Sequence, residues 1–553
     1  MQKDVQLRLP PWKACDEACI AKALGLGRDE RFRIIKKSID ARRRDVMVDL
    51  VVRINPDEAL FEPVHLEDVS SADGSRRRQV VVVGSGPAGL FAALSLLEKG
   101  VKPIVLERGR DVHSRRRDIA LISTQGKVDP QSNYSFGEGG AGAFSDGKLF
   151  TRSKKRGENS KVLNLFVQFG ADESILYEAH PHIGTDKLPK IVEAMRNAIV
   201  QHGGEVRFQT VVTDLVVRNG VCVGCIAKDL ENGRELSFDG PVIMAVGNAA
   251  RDTFRMLLDR GVSIEAKDLA MGVRLEHPQH LIDCIQYHNP DGRGRFLPAA
   301  EYSFATQVPI EHGRPRSGGS FGGGSNGYVM HDGGLRSGGR PTLGVYSFCM
   351  CPGGFVVPAA SGSDQVVVNG MSPSNRGSKW ANSGMVVEFG TSVAGDEDFV
   401  RRNPLCMMEL QKDLEERTFK AAGCTQKAPS QRMVDFIEGR ISGTLPPSSY
   451  APGLTSYDMK EILPGFAGDA LARAFQTFGR SANGFLTNEA ILIGTETRTS
   501  SPIRIVRKPD TLESISLAGL FPCGEGAGYA GGIVSAAVDG MRCASSCMEL
   551  FFK

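Results

Sequence analysis

One segment constrains the fold more than any other: residues 79–109, QVVVVGSGPAGLFAALSLLEKGVKPIVLERG. Its valine run ending at Val83 reads as a buried strand of a parallel sheet, because a strand covered on both faces needs no polar alternation. Gly84, Gly86 and Gly89 follow in G-x-G-x-x-G spacing. The first permits a tight turn, the second lets backbone approach a pyrophosphate, and the third lets a helix pack close to the strand. Pro87 suits the first turn of that helix, where a missing N–H removes no bond. The spacing predicts a helix over about 87–99, closed by Gly100, with its free N–H groups and positive dipole end aimed at phosphates. A second strand over 103–106 then delivers Glu107, about 18 residues beyond Gly89, where a carboxylate can accept a hydrogen bond from a ribose hydroxyl. Strand, turn, helix, strand and terminal acid together predict a Rossmann-like unit that binds a dinucleotide.

The remaining chain must accommodate that unit. With 553 residues and a prior of about 150 per domain, two to four domains are expected. Lys and Arg total 67 against 64 Asp and Glu, and this near balance argues against a dedicated nucleic-acid binder. Glycine numbers 64, well above a usual share of about 7%, which asks for tight turns and close backbone approach to a ligand. No apolar run is long enough for a signal peptide or a bilayer span. Twelve cysteines without secretory context read as reduced thiols. The expected compartment is the cytoplasm, or an organelle stroma if a transit peptide has been removed.

Residues 1–70 read as a small α+β domain of βαββ pattern, with Arg42–Arg44 in the turn between its last two strands. A polar linker leads to the dinucleotide unit. The expected organisation is an FAD-binding domain over 79–261 and 483–553, interrupted by a mixed β/α substrate (cap) domain over 262–482. Within the latter, 313–340 is so rich in Gly, Ser and Arg that a mobile surface loop is expected.

Two further segments distinguish FAD from NAD. Val242–Gly247 (VIMAVG) is an apolar strand ending at glycine, placed after a hairpin over 214–238. Leu517–Gly532 (LAGLFPCGEGAGYAGG) carries Gly524 and Glu525 after a strand, then glycines opening a helix near Ile533. With VVVGSGPAG and ERG, these resemble the motifs of glutathione-reductase-like FAD flavoproteins. The whole chain is similar to an uncharacterised family of FAD-dependent dehydrogenases. The matching stretches are SIDAR (38–42), FGEGGAGAFSDGKL (136–149), HPHIGTDKLP (180–189), YSFCMCPGG (346–354), NGMS (369–372) and ETRTSSP (496–502). The resemblance implies an α/β fold with a parallel sheet, bound FAD and dehydrogenase or reductase chemistry. It implies no substrate.

Motif and resemblance together place the cofactor contacts at Gly84, Ser85, Gly86, Pro87, Ala88, Gly89, Glu107, Arg108, Gly140, Gly142, Ser145, Lys148, Val212, Ala245, Gly247, Gly524, Glu525, Gly532 and Ile533. The candidates for catalysis are Lys148, as a positive charge near flavin or substrate, Arg498, as a bidentate carboxylate clamp or an interdomain ion pair, and Cys351. Cys349 and Cys351 should share a strand face, about 7 Å apart at Cα, a spacing poor for a disulfide. Cys222 and Cys225 should point to opposite faces of a hairpin strand. His180, His182, His277 and His280 lack further ligands for a metal, and none is expected.

The chain is therefore expected to be an FAD-dependent oxidoreductase that passes hydride between flavin and a small-molecule substrate. No second dinucleotide motif is visible, so NAD(P)H stays open as electron donor. Two alternatives remain: a flavoprotein that binds or acts on RNA through Arg42–Arg44 and the Arg/Gly loop, and a non-catalytic flavin redox sensor. Oligomeric state is not legible.

Overall fold

A computed structural model describes residues 3–27, 29–57, 59–70, 78–150, 159–309 and 342–552. The glycine-rich stretch 313–340 lies outside them, as does most of the linker.

The dinucleotide segment folds as its pattern demands. Strand Gln79–Val83 forms the centre of a five-stranded parallel sheet, flanked by Lys102–Leu106 and Val242–Met244, with Glu205–Arg207 and Leu520–Pro522 at the edges. Burial on both faces explains the unbroken valines: Val80, Val81 and Val82 are fully buried. Helix Pro87–Leu97 is buried almost all round, because it lies between this sheet and helix Ile533–Phe551. Those two helices cross closely; a Cβ at Gly540 would sit 2.1 Å from the carbonyl oxygen of Ala88. The fit therefore needs glycine. A three-stranded antiparallel sheet, Thr210–Arg218, Val221–Asp229 and Glu235–Asp239, precedes Val242–Met244.

A second, seven-stranded sheet runs in the order Ala305–Pro309, Thr342–Cys351, Trp380–Phe389, Leu269–Pro278, Ile491–Glu496, Ala428–Arg432, Leu454–Ser456. All neighbours are antiparallel except the last pair. Helices Cys406–Ala421 and Gly465–Ser481 bury their apolar stripes in the core of this part. The N-terminal residues form a three-stranded sheet, Lys3–Leu9, Met47–Ile54, Phe32–Asp40, with helix Glu17–Leu24. Arg42 in its turn forks onto Asp40, so that charge is already paired within the turn. Among the described residues no helix is long and apolar enough to cross a membrane.

One expectation fails here. Cys222 and Cys225 do not point to opposite faces: a bulge at Val223 shifts the register, and both thiols enter one apolar cluster. Burial pushes them up to about 11 and about 12, so both stay protonated.

Candidate cofactor and active site

The parallel sheet, the helix Ile533–Phe551 and one end of the seven-stranded sheet enclose a cavity of about 430 Å³. Gly84, Gly86, Pro87, Ala88, Glu107, Arg108, Gly140, Gly142, Ser145, Lys148, Val212, Ala245, Gly247, Glu525, Gly532 and Ile533 all line it. So do Arg498 and Cys349. Segments more than 400 residues apart in sequence thus meet at one place. A second, more open cleft, between Ser38–Arg42 and Cys284–His288, holds none of these residues.

Three predicted residues stand behind the wall rather than on it, each for a packing reason. The hydroxyl and N–H of Ser85 both donate to Glu107. A Cβ at Gly89 would come within 1.9 Å of the carbonyl oxygen of Gly84, so helix and turn close only on glycine. Gly524 has φ +76°, and its N–H donates to Asp539.

Glu107 lies at the end of its strand, as the spacing requires, and also ties the surrounding turns together. One carboxylate oxygen accepts from the N–H and hydroxyl of Ser85, the other from the N–H groups of Gly109 and Gly137. Arg108 beside it pairs with Asp252 and stacks over Phe136. The glycine-rich loop after residue 136 is held from below by Arg115, which is fully buried and donates to the carbonyls of Asn133, Tyr134, Gly137 and Glu138. A Cβ at Gly140 would stand 3.1 Å from Cα of Gly86, so these two glycines form a bare backbone floor.

The residues present fit FAD on one structural observation above all. Helices Pro87–Leu97 and Ile533–Phe551 both begin on this cavity, and both are N-capped by glycine with no side-chain cap bond. Their unsatisfied N–H groups and positive dipole ends therefore face the cavity. One such end suits a pyrophosphate, the other an electron-rich ring. At Gly531 and Gly532 a Cβ would meet nothing within 4 Å, so the space in front of the second helix is open.

Charge gathers at the other side of the cavity. Lys148 Nζ lies 2.6 Å from Asp146 Oδ2, and Arg376 donates to the same oxygen at 2.9 Å. These cations hold Asp146 down to about 2 against the opposing effect of burial. Burial by itself would lower Lys148, yet Cys351, Asp146 and Cys349 keep it above the ordinary lysine value. Arg498 reaches the cavity, but its Nε and Nη2 fork onto the two oxygens of Glu415, so its bidentate edge is already engaged. Glu415 also pairs with Arg251, and the two arginines hold it at about 2. Glu525 accepts from Asn248 at 2.6 Å, and burial pushes its carboxyl up to about 7.

Of the paired cysteines, Cys349 lines the cavity while Cys351 is fully buried. The two thiols do meet, but across irregular backbone rather than along a regular strand. Strand Thr342–Cys351 bulges between Phe348 and Cys351, and Cys349 takes φ +45°. Beneath them Arg274, fully buried, donates to Asn382, to Glu496, to the Cys349 carbonyl and to the Cys351 sulfur. Arg274 and Glu415 escaped sequence reading. An arginine inside the apolar run LAMGVRLEHP was a signal for the first; nothing local marks the second.

The predicted histidines are placed without shared ligands. His180 pairs with Glu301 and stacks on Phe150, His182 sits 3.1 Å from the Ser374 carbonyl, and buried His277 contacts the Phe485 carbonyl. Cys523, Asp539 and Cys543 cluster in the core, but the guanidinium of Arg507 sits there already, bonded to both Asp539 oxygens and to Cys543.

Comparison with known proteins agrees with FAD as the cofactor. Residues 268–330 and 335–499 match the family described as FAD-dependent protein, C-terminal domain-like. Residues 77–127 and 141–274 match two families each described as FAD binding domain, and residues 1–55 match a domain of unknown function. Similar solved structures include a geranylgeranyl bacteriochlorophyll reductase-like protein of Thermoplasma acidophilum, at 15% identity over 85% of this chain and 78% of that one, TM-score 0.33. Another is the 3-ketosteroid-delta4-(5alpha)-dehydrogenase of Rhodococcus jostii, at 12% identity over 87% and 99%, TM-score 0.34. An uncharacterised protein of Clostridium beijerinckii is 39% identical over 97% of this chain and 96% of its own length. The chain belongs to the same family as that protein, and FAD is its cofactor.

Proposed function

We propose that the chain transfers hydride between its flavin and a small organic substrate bound where Lys148, Phe150, Phe348 and Cys349 wall the cavity. The observation that supports this reading most is the pair of uncapped helix N-termini opening on one cavity. In this reading Gly84–Ala88, Glu107, Arg108 and Gly140 hold the dinucleotide end, and Gly142, Gly247, Glu525, Gly532 and Ile533 lie along the remainder. Bound FAD supplies the two-electron chemistry. The chain supplies the rest. Phe150 and Phe348 offer apolar contact to the substrate, Lys148 offers positive charge to a polar substrate group, and Glu525, poised near neutrality, holds or releases a proton. The part built on the seven-stranded sheet acts as the substrate (cap) domain of this arrangement; it runs from Leu269 through Glu496 rather than over the expected 262–482, because strand Ile491–Glu496 pairs inside that sheet.

Anaerobic stopped-flow reduction of the purified protein tests the reading. NADH, NADPH and fractionated metabolite pools are each mixed with it, and the visible flavin band is followed. Bleaching by a small-molecule donor supports hydride transfer and identifies the substrate class. Failure of every donor to bleach a protein that carries FAD overturns it.

A further inference from the structure

Cys349 and Cys351 are set up by features that packing alone does not require. The bulge in Thr342–Cys351 inserts an extra residue between Phe348 and Cys351 relative to the partner strand Trp380–Phe389. Cys349 sits within that bulge at φ +45°, a left-handed conformation that a non-glycine residue adopts only under strain. The result removes the extended spacing that would keep two alternate thiols apart. The Cys351 thiol instead reaches back to the Cys349 carbonyl at 3.3 Å, and Cys349 opens onto the cofactor cavity.

Two cations serve the same pair. Arg274 Nη2 lies 3.3 Å from the Cys351 sulfur, and Lys148 faces the thiols from the glycine-rich loop. A hydrogen bond from Cys351, with the charges of Lys148 and Arg274, draws the Cys349 thiol below its ordinary value although burial opposes it. Cys351 is pushed above its ordinary value, first by its contact with Cys349 and then by burial. The contact thus favours negative charge on Cys349 and the proton on Cys351.

We infer that Cys349 and Cys351 form a redox-active pair that cycles between dithiol and disulfide by exchanging two electrons with the flavin in this cavity. Oxidation forms one Sγ–Sγ bond between them and takes one electron pair from the two sulfurs. The oxidised flavin receives that pair together with two protons. Cys351 releases one of these protons as its S–H bond breaks, and the other comes from Cys349 or, where Cys349 starts as thiolate, from solvent. No further oxidant is needed, and the reverse step regenerates both thiols. The inference depends on FAD occupying the cavity, not on the identity of the substrate.

The test uses purified holoprotein. Samples with the flavin fully oxidised and with the flavin photoreduced anaerobically are quenched in acid, unfolded and alkylated, so burial no longer protects any thiol. Trypsin then releases residues 337–376, whose only cysteines are Cys349 and Cys351. With oxidised flavin the expected peptide is unlabelled and two hydrogens lighter. With reduced flavin both cysteines are labelled, a rise of about tenfold or more, as a two-electron couple in equilibrium with the flavin requires. Full labelling in both states, or labelling that ignores the flavin, overturns the inference. In Cys351→Ser the label on Cys349 should become independent of the flavin; if that variant does not fold, the unaltered protein still decides. The flavin spectrum shows separately whether FAD is bound.

Discussion

Gly540 and Ala88 bring two helices from opposite ends of the chain into backbone contact, with room for no more than hydrogen between them: a Cβ on Gly540 would lie 2.1 Å from the Ala88 oxygen. That contact sets the N-termini of Pro87–Leu97 and Ile533–Phe551 side by side on the cavity. Gly540→Val should force the helices apart, costing about 1–3 kcal/mol of stability, as overpacking does. Thermal unfolding should show the loss, and FAD affinity should fall with it. A variant of unaltered melting temperature and FAD affinity would contradict the role given to this crossing.

Glu107 receives four hydrogen bonds from three turns. In Glu107→Gln an amide NH₂ must face donors, leaving at least one buried N–H unpaired. The expected cost is about 1–3 kcal/mol. Chemical denaturation measures it, and FAD titration should show weaker binding because the Gly84–Gly86 turn loses its anchor.

Glu415 neutralises Arg251 and Arg498 at once. Glu415→Ala leaves two buried guanidiniums without their counter-charge. Breaking a buried pair in this way costs about 3–5 kcal/mol, so poor folding or a large drop in melting temperature is expected. Because Glu415 titrates at about 2, its contribution is constant through the neutral range.

Glu525 predicts a pH dependence of the opposite kind. Burial raises its carboxyl to about 7 in the folded chain, above the ordinary 4.5 of the unfolded one. The folded state therefore holds the extra proton between those values. Its contribution to stability is present below about pH 4.5 and is lost as pH rises through about 7. Glu496, also raised to about 7, acts in the same direction. The cofactor-free protein should lose melting temperature across this window, and Glu525→Gln should flatten the slope. An unchanged slope would remove Glu525 as a proton-holding group.

Much of the cofactor side was legible because its requirements are backbone requirements. Only glycine satisfies the approach of Gly89 to the Gly84 oxygen, and a terminal acid such as Glu107 follows the strand at a spacing fixed by the helix between. The substrate side was less legible because it depends on irregular backbone and remote pairs. A bulge at Val223 brings Cys222 and Cys225 together, and another places Cys349 rather than Cys351 on the cavity. No periodicity announces a bulge. Arg498 was visible as a polar cluster member, but its partner Glu415 stands 83 residues away on a helix whose pattern shows only amphipathicity.

The most direct test of the account is FAD titration of the wild-type protein and Gly532→Asp, followed by flavin fluorescence. A side chain at position 532 meets nothing within 4 Å, and its backbone is extended at φ 168°, so the variant should fold with at least wild-type stability. Its carboxylate would cap the helix Ile533–Phe551 and claim the positive end that faces the cofactor. The loss of that interaction, up to about 2 kcal/mol in partly buried geometry, predicts roughly tenfold weaker FAD binding or more. A folded Gly532→Asp protein that binds FAD as tightly as the wild type would contradict the placement of the flavin at this helix.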